Sequence, residues 1–573
     1  MLQTLTTPRG ETLSGTPWQV YPRPQMRRDS YINLNGEWDF AVSQEKPETF
    51  DMRILVPFCP ESRLSGIGRH FEEGAPLWYC RRFLLPEGFR RERVLLHIGA
   101  ADQIADVFVN GQHLCRHEGG YASFCVDITE ALAEENELVI RCTDDLHDQA
   151  FPYGKQVTNR GGMWYTPVSG IWQTVWLESV PGTYIEKLNI ENHGASVTIS
   201  TVPPLEGTVS VEPLGQFPLE NGQVTIAPEN PHFWCPDDPY LYRFTVETVQ
   251  DKVESYFAIR SLEIKKVGEY PRLCLNGKPY FFHGLLDQGY WPEGLLTAPA
   301  PESYADDILA MKRLGFNTLR KHIKVEPEEF YYQCDRLGMI VWQDMVNNGS
   351  YSYFRDTVLP TIGIQKWNDR QLHLDERSRN AFRRGAADAV NQLKNHPCIC
   401  YWTIFNEGWG QFDSDRVCGW FRTLDATRFI DTTSGWFRGK NTDVDSRHQY
   451  FGKLRLKGDG LRPLVLSEFG GKTWRVEGHI FNPDKTYGYG ACPTREALNE
   501  AVATLYRESI VPAVERGLCA AIYTQVSDVE DEVNGLATYD RRVVKLDADT
   551  MLPISQALQD AMEKTVASFE KMG

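Results

Sequence analysis

The last 300 or so residues of the chain alternate short apolar, β-prone segments with helical ones, and this alternation restricts the possible folds more than any other feature. A helical period is clearest over residues 304–314, where Tyr304, Ile308 and Met311 share one face and Gly315 provides a stop. The β-prone segments are residues 280–283, 318–320, 339–343, 399–403, 430–433, a segment near 448, 464–467 and 519–523. Eight strands with intervening helices in about 300 residues predict a (β/α)8 barrel, here assigned to residues 265–573.

The residues before this barrel alternate strands with tight turns instead. Three segments, residues 94–98, 106–109 and 137–142, have the composition of strands, and Asn110-Gly111 is a hairpin signal. They predict a β-sandwich over residues 1–180. Further short strands are predicted at residues 197–200, 208–211, 223–226 and 242–246. Their regular spacing is typical of an immunoglobulin-like sandwich, assigned to residues 181–264.

Charge and composition exclude several classes of protein. A net charge of −17 argues against a nucleic-acid or anionic-membrane partner. The first residues lack a basic, apolar leader, and no apolar run approaches about 18 residues, so a cytoplasmic location is expected. Thirteen cysteines without CxxC pairs or zinc-type spacing predict reduced thiols, no metal and no required cofactor.

Two of the predicted barrel strands end on a glutamate. The segment 401–409 (YWTIFNEGW) delivers Asn406 and Glu407, and the segment 463–470 (PLVLSEFG) delivers Glu468. A carboxylate at the end of a buried strand is costly unless it has a function. Because the C-terminal ends of barrel strands carry the chemistry, Glu407 and Glu468 are predicted to face each other, as glycoside hydrolysis requires.

These segments resemble glycoside hydrolase family 2, the group of β-galactosidases, β-glucuronidases and β-mannosidases. Residues 31–38 (YINLNGEW), 107–111 (VFVNG) and 169–172 (SGIW) resemble its sugar-binding-type jelly roll. Residues 234–242 (WCPDDPYLY) and 257–260 (FAIR) resemble its immunoglobulin-like domain. Residues 395–397 (NHP), the pair Asn406-Glu407 and residues 467–469 (SEF) are similar to its catalytic signatures. The resemblance implies a jelly-roll β-sandwich, an immunoglobulin-like β-sandwich and a C-terminal catalytic TIM barrel.

The resemblance also implies a retaining mechanism. Glu468 would be the nucleophile and Glu407 the acid and base, while Asn406 would contact the sugar 2-hydroxyl. Tyr450 resembles the tyrosine that hydrogen-bonds the nucleophile, and His322 resembles a substrate-side histidine, with structural roles for both left open. The remaining predicted substrate contacts are Asp287, which a loop-capping role would explain as well, His448, Trp474 and Tyr523, which stands where relatives often present a tryptophan platform.

Three departures from the family bear on the sugar. Glu532 and Asn534 occupy the place of the Asn-x-Lys pair of glucuronidases, and a glutamate there would repel a uronate. Two glycines precede Met163 where galactosidases typically have an aspartate, and residues 341–345 (VWQDM) are closer to the mannosidase branch. We interpret the chain as a retaining exo-β-glycosidase of small glycosides, most similar to β-galactosidases. The alternatives are β-glucuronidase, β-mannosidase or β-arabinopyranosidase activity and, in another class, a non-catalytic carbohydrate-binding protein.

The segment 344–376 is longer than an ordinary connection between a strand and a helix. It contains Tyr351, Tyr353, Trp367 and His373. We expect it to shape the pocket or a contact between copies of the chain. The sequence leaves open whether the protein is a homo-oligomer and whether an ion assists the site.

Overall fold

The computed structural model describes residues 2–364, 368–452, 454 and 456–570, which form three consecutive units; Trp367 lies outside the described residues. A short helix, α1 (Pro8–Thr12), precedes the first unit. No helix in the described part of the chain combines the length and the apolar character that crossing a bilayer would need.

The first unit is an antiparallel β-sandwich. Its two main sheets have the strand orders β1-β12-β5-β9 and β3-β2-β4-β10-β7-β8, and β6 pairs with β11. Alternate residues such as Trp38, Val107 and Ile140 point inward and are fully buried between the sheets. The strands are β1 (Tyr31–Asn33), β2 (Gly36–Val42), β3 (Met52–Val56), β4 (Leu77–Phe83), β5 (Arg93–Ile98), β6 (Ala101–Asp102), β7 (Ile104–Val109), β8 (Gln112–Glu118), β9 (Phe124–Asp127), β10 (Asn136–Thr143), β11 (Gly170–Ile171) and β12 (Val175–Val180).

The second unit is a smaller sandwich with the sheet orders β13-β14-β17 and β16-β15-β18-β19. Ile199, Val246 and Phe257 are buried in its core. A three-stranded antiparallel sheet, β20-β21-β22, then leads into the barrel. The strands are β13 (Lys187–Asn192), β14 (Val197–Val202), β15 (Gly207–Val211), β16 (Gly215–Leu219), β17 (Gln223–Ile226), β18 (Tyr242–Thr248), β19 (Lys252–Phe257), β20 (Leu262–Val267), β21 (Tyr270–Leu275) and β22 (Lys278–Pro279).

The third unit is the predicted barrel, a nearly closed sheet of eight parallel strands in the order β27-β26-β25-β24-β23-β30-β29-β28. Its strands are β23 (Phe282–Asp287), β24 (Thr318–Lys321), β25 (Ile340–Asp344), β26 (Ile399–Asn406), β27 (Phe429–Ser434), β28 (Asp445–Gln449), β29 (Leu464–Gly470) and β30 (Leu518–Thr524). Its helices are α2 (Glu302–Arg313), α3 (Glu328–Leu337), α4 (Leu359–Thr361), α5 (Glu376–Leu393), α6 (Ser414–Phe421), α7 (Arg495–Leu505), α8 (Val511–Val514) and α9 (Ala548–Glu570). The predicted fold class is therefore confirmed.

The first barrel strand differs from its prediction. It was expected at residues 280–283, but β23 runs from Phe282 to Asp287 and every one of its residues is buried. A strand buried on both faces has no alternation that would mark its ends. Gly284 lies near the centre of the strand. A larger residue would clash there, because an added Cβ atom would lie 2.5 Å from the Ile522 side chain. The displacement puts Asp287, rather than His283, at the end of the strand.

Candidate active site

The predicted glutamates lie at the mouth of the barrel, on strands that are not neighbours in the sheet. Glu407 directly follows β26, and Glu468 lies near the end of β29. The backbone of Glu407 has a φ of +53°, which is unfavourable for a residue with a side chain. The backbone N–H of Glu407 donates to the Ser434 carbonyl at 2.9 Å, which helps to hold this turn. The turn takes the carboxylate of Glu407 out of strand alternation, so its side chain can approach Glu468.

The two carboxylates are close to each other. One oxygen of Glu407, one oxygen of Glu468 and a ring nitrogen of His448 all lie within 4.8 Å of one another. Retaining glycosidases place their carboxyl groups about 5 Å apart, whereas inverting enzymes leave room for a water with a gap of about 6.5–9.5 Å. An oxygen-to-oxygen approach within 4.8 Å is compatible with the closer spacing of the retaining class.

The same three side chains form the one grouping of His, Cys, Asp or Glu in the described residues that is tight enough to hold a metal ion. However, the guanidinium of Arg320 lies 3.0 Å from an oxygen of Glu468. This guanidinium already supplies positive charge where a cation would bind, and it would repel one. The close approach of Glu407, His448 and Glu468 is explained by their contacts with one another and with Arg320.

The surroundings of Glu468 favour its ionised form. Arg320 Nη1 donates to its Oε1 at 3.0 Å, and the Tyr450 hydroxyl donates to its Oε2. Burial by itself raises the pKa of the Glu468 carboxyl, but the charges of His448 and Arg320, with smaller contributions from His322 and Tyr450, lower that pKa to about 2. Glu468 is therefore a carboxylate at neutral pH, as a nucleophile must be.

Arg320, which the sequence analysis missed, joins the ends of four strands. It belongs to β24 and is fully buried. Its Nε donates to Asp344 Oδ1 of β25 at 3.0 Å and its Nη2 donates to Asn406 Oδ1 of β26 at 2.8 Å, in addition to its bond to Glu468 of β29. An arginine inside an otherwise buried strand (TLRK) is the sequence signal that could have identified it, because a buried charge needs partners.

His322 follows β24 and lines the cavity above the glutamates. Its Nδ1 lies 2.7 Å from Asp344 Oδ2. Burial and the nearby charge of Lys155 lower the pKa of His322 to about 4, so the ring is neutral at neutral pH. With Nδ1–H donating to Asp344, Nε2 becomes a hydrogen-bond acceptor, which suits a sugar hydroxyl.

His448 was predicted as a substrate contact, but the structure places it between the two glutamates. Its side chain is fully buried. Nδ1 lies 2.8 Å from Glu407 Oε1, and Nε2 lies 3.0 Å from the Ser434 hydroxyl and 3.6 Å from Glu468 Oε1. Both ring nitrogens therefore face protein groups, which corrects the prediction: His448 orients the carboxylates.

A cavity that is open to solvent lies over the carboxylate pair. Of the predicted residues, Asn406, Glu407, Tyr450, Glu468 and His322 line it. The sequence analysis missed several others, and three of them, Lys155, Met163 and Trp164, belong to the connection between β10 and β11 of the first sandwich. The additional lining residues include Lys155, Trp164, Gln288, Trp409, Tyr489 and Glu532.

Three predicted sugar contacts lie outside this lining. Asp287 accepts from Lys321 Nζ at 2.7 Å. Burial raises the pKa of Asp287, but the charge and hydrogen bond of Lys321, together with the charges of Arg541 and Lys324, outweigh burial and lower that pKa. Tyr523 is fully buried and its hydroxyl accepts from the backbone N–H of Lys472 at 2.9 Å, so it offers no platform to a sugar. Trp474 packs against the barrel core. These are corrections: Asp287 and Tyr523 lie within barrel strands and Trp474 follows one, but each side chain has another partner.

The segment 344–376 reaches the cavity through Tyr351, which is among its lining residues. The Tyr351 ring lies 4.9 Å from the Trp164 ring of the first sandwich and 6.3 Å from the Trp409 ring of the barrel. His373 packs against Gly349, where an added Cβ would lie 2.9 Å from its Nδ1. The segment therefore forms part of the pocket wall, as expected.

The barrel and its facing carboxylates define a class of protein, the glycoside hydrolases. Three family models match the chain in order. They are the "Glycosyl hydrolase 2 galactose-binding domain-like" model at residues 70–161, "Glycosyl hydrolases family 2" at residues 183–260, and "Glycosyl hydrolases family 2, TIM barrel domain" at residues 266–455. The chain belongs to glycoside hydrolase family 2.

The chain is similar both to a protein named β-galactosidase and to proteins named β-glucuronidase. It is 24% identical over 358 residues to a β-galactosidase of Thermoanaerobacter pseudethanolicus, covering 57% of this chain and 44% of that protein. It is 23% identical over 408 residues to a β-glucuronidase of Bacteroides fragilis, covering 66% and 56%. The chain thus spans about half of the length of these two relatives. A Bifidobacterium dentium β-glucuronidase structure has the same fold, with a TM-score of 0.71 at 19% identity over 94% of this chain and 98% of that one.

Proposed function

We propose that the protein is a retaining β-glycosidase that removes a terminal sugar from small glycosides. The observation that carries this proposal is the approach of Glu407 and Glu468, whose oxygens lie within 4.8 Å, together with the pKa of about 2 at Glu468. Glu468 attacks the anomeric carbon while Glu407 protonates the leaving oxygen, which gives a covalent glycosyl-enzyme and the free alcohol. Glu407 then takes a proton from water, and that water releases the sugar from Glu468.

Asn406 has the orientation that this mechanism needs. Arg320 donates to Asn406 Oδ1 at 2.8 Å, so the amide NH2 group is the part left for the substrate. An N–H donor at this place can bind the sugar 2-hydroxyl, a contact that strengthens in the transition state. Arg320 therefore supports catalysis through Asn406 as well as through Glu468.

The isosteric substitution Glu468→Gln tests the nucleophile. We expect it to lower turnover of an accepted nitrophenyl glycoside by at least about 10⁴-fold, with the circular dichroism spectrum unchanged. Retained turnover would contradict the assignment. The anomer formed first, followed by NMR, tests the spacing argument, because an inverted product would rule out double displacement. If the wild-type protein binds sugar but hydrolyses no member of a nitrophenyl glycoside panel, a carbohydrate-binding function replaces the proposal.

For the sugar, our first candidate is a neutral, galactoside-like residue. Glu532 lines the cavity, where its Oε2 accepts from the Tyr165 hydroxyl at 2.5 Å and its Oε1 accepts from Asn534 Nδ2 at 3.0 Å. A carboxylate wall can accept hydrogen bonds from sugar hydroxyls but repels a uronate. The similarity to a protein named β-galactosidase supports this candidate.

A second candidate, β-glucuronide hydrolysis, is favoured by Lys155. This residue lines the same cavity, and its ammonium makes no hydrogen bond or ion pair with any described residue. Its nearest aromatic partner is the Tyr165 ring, whose centre is 6.0 Å away. An unpaired ammonium in a sugar pocket can bind a substrate carboxylate. The relatives named β-glucuronidase support this candidate.

A panel of nitrophenyl β-galactoside, glucuronide, mannoside, glucoside and arabinoside separates the two candidates when it is run on matched variants. If glucuronide is the substrate, Lys155→Met should lower its kcat/KM by about 10- to 100-fold, the value of one charge-assisted hydrogen bond, and leave the neutral sugars nearly unchanged. Lys252→Met, on the exposed side of β19, is the control. If galactoside is preferred and Lys155→Met affects both sugars alike, the second candidate fails.

A further inference from the structure

Three aromatic side chains in loops of the barrel are unusually exposed. Tyr353, Phe354 and Phe451 leave 67%, 65% and 68% of their surface open to solvent. We call these three side chains the aromatic rim. Exposed apolar groups that cluster on a soluble protein commonly mark a binding surface.

Ring contacts connect one part of the rim to the nucleophile. The Phe451 ring lies 5.7 Å from the Tyr489 ring, and Tyr489 lines the catalytic cavity. Tyr489 in turn stacks on Tyr450 at 4.0 Å with an angle of 19° between the planes. The Tyr450 hydroxyl donates to Glu468. Phe451 therefore packs next to Tyr489, a ring that forms part of the cavity wall.

A second set of contacts connects the other part of the rim to the catalytic acid. Tyr353 and Phe354 begin a π-helical turn, Tyr353–Val358. The indole N–H of Trp436 donates to the carbonyl of Asp356 in this turn at 3.2 Å and to the carbonyl of Glu407 at 3.0 Å. The Trp436 side chain thus bonds both to the π-helical turn and to the backbone of Glu407.

Tyr487 packs next to Tyr489, the ring that Phe451 contacts. Its ring is 5.5 Å from the Tyr489 ring. Burial raises the pKa of Tyr487, the hydrogen bond with Tyr489 lowers it, and the charges of Glu532, Glu407 and Tyr353 raise it further.

We propose that the aromatic rim binds the aglycone of the substrate and that it selects aromatic aglycones. This inference rests on the proposed function. Glu407 protonates the leaving oxygen, so the aglycone must lie on the side of Glu407, where the turn that carries Tyr353 is attached. Flat rings gain from stacked or edge-on contact with aromatic side chains beyond the area that they bury, whereas a small alkyl aglycone cannot.

The test compares the benzyl and methyl β-glycosides of the sugar that the nitrophenyl panel prefers. Both leaving groups are primary alcohols of similar acidity, so the ratio of their kcat/KM values reports contact with the ring. We expect Phe451→Ala and Tyr353→Ala each to lower the benzyl-to-methyl ratio by about 3- to 10-fold, with the methyl value nearly unchanged. Leu84→Ala, 64% exposed in the first sandwich, should leave the ratio as it is.

Two outcomes would overturn the proposal: an unchanged ratio in both rim variants, or equal losses on both glycosides. A change in oligomeric state by light scattering, without a change in the ratio, would instead assign the rim to a contact between copies of this chain. If the wild-type protein hydrolyses neither glycoside, the proposed function fails separately. Calorimetry with the benzyl and methyl 1-thio-β-glycosides then tests the rim, and equal affinities in the wild type and in Phe451→Ala overturn it.

Discussion

The hydroxyl of Tyr450 is the contact of Glu468 that can be removed without removing a charge. Tyr450→Phe deletes the hydrogen bond to Glu468 Oε2 and a 3.1 Å contact with the Thr524 hydroxyl. The stack of the ring on Tyr489 is kept, as is the bond from Arg320 to Glu468 Oε1. The substitution therefore isolates what one neutral donor does for the nucleophile.

The size of the effect follows from the energy of that hydrogen bond. A bond to a charged group contributes about 1.5–3 kcal/mol, and 1.36 kcal/mol corresponds to one pKa unit, so Tyr450→Phe should raise the pKa of Glu468 by about 1–2 units. In the wild type this pKa is about 2. The nucleophile stays ionised at pH 7, and the acidic limb of kcat/KM moves to higher pH by the same amount.

The same shift affects stability. The pKa of Glu468 in the folded protein lies below its ordinary value of 4.5, so the ionised group stabilises the fold above about pH 4.5, and this contribution is lost as the pH falls toward about 2. Tyr450→Phe should make this contribution smaller. The free energy of unfolding at neutral pH should therefore fall, and the difference from the wild type should narrow in acid.

The assay is kcat/KM for one nitrophenyl glycoside between about pH 3 and about pH 8. Tyr506→Phe is the matched control, because this buried hydroxyl bonds to His283 at 3.1 Å, away from the glutamates. The wild-type limb, near pH 2, lies below this range, so a kcat/KM of Tyr450→Phe that stays constant down to the lowest pH of the assay would refute the reasoning. So would an equal shift in Tyr506→Phe.

Two further predictions concern the ends of β26 and β29. Glu407→Ala should slow the glycosylation of the enzyme by alkyl glycosides about 100-fold more than by nitrophenyl glycosides, because nitrophenyl leaving groups need little protonation. Stopped-flow burst kinetics measure this step. Equal losses on both kinds of glycoside would contradict the acid role. Gly470→Ala should lower the free energy of unfolding in urea by about 1–3 kcal/mol more than Gly194→Ala, since both glycines have positive φ (+86° and +82°) but only the first would put a Cβ within 2.2 Å of the Tyr523 ring. Equal losses would show that packing at Gly470 is loose.

The fold could be predicted because each buried parallel strand is a short apolar run that ends in glycine or polar residues. That pattern gave the number and order of the barrel strands and put Glu407 and Glu468 at strand ends. It could not give the exact bounds: β23 ends at Asp287, four residues beyond its expected end at His283, because all six of its residues are buried. Where no face is exposed, periodicity carries no information about register or length.

A residue of the site could be predicted from the sequence only where its position at the end of a strand is enough to place its side chain in the site. Asp287 ends β23 and Gln288 follows it directly, yet Asp287 pairs with Lys321 while Gln288 lines the cavity. Nothing local in the sequence distinguishes these outcomes, because the deciding partner comes from another strand. Lys155 is harder still: it belongs to a different unit and reaches the pocket only through the packing of the first sandwich on the barrel.

Arg320 shows how the charge of the site would be balanced through the proposed reaction. Its fully buried guanidinium bonds to two carboxylates, Asp344 and Glu468, and a buried cation needs such partners to be stable. When Glu468 forms the bond to sugar, its negative charge disappears, and Asp344 remains as the partner of Arg320. The same step removes the negative charge that faced Glu407, which favours the carboxylate form of Glu407 that must next accept a proton from water. The spacing of the two glutamates thus couples the formation of the intermediate to the generation of the base that breaks it down.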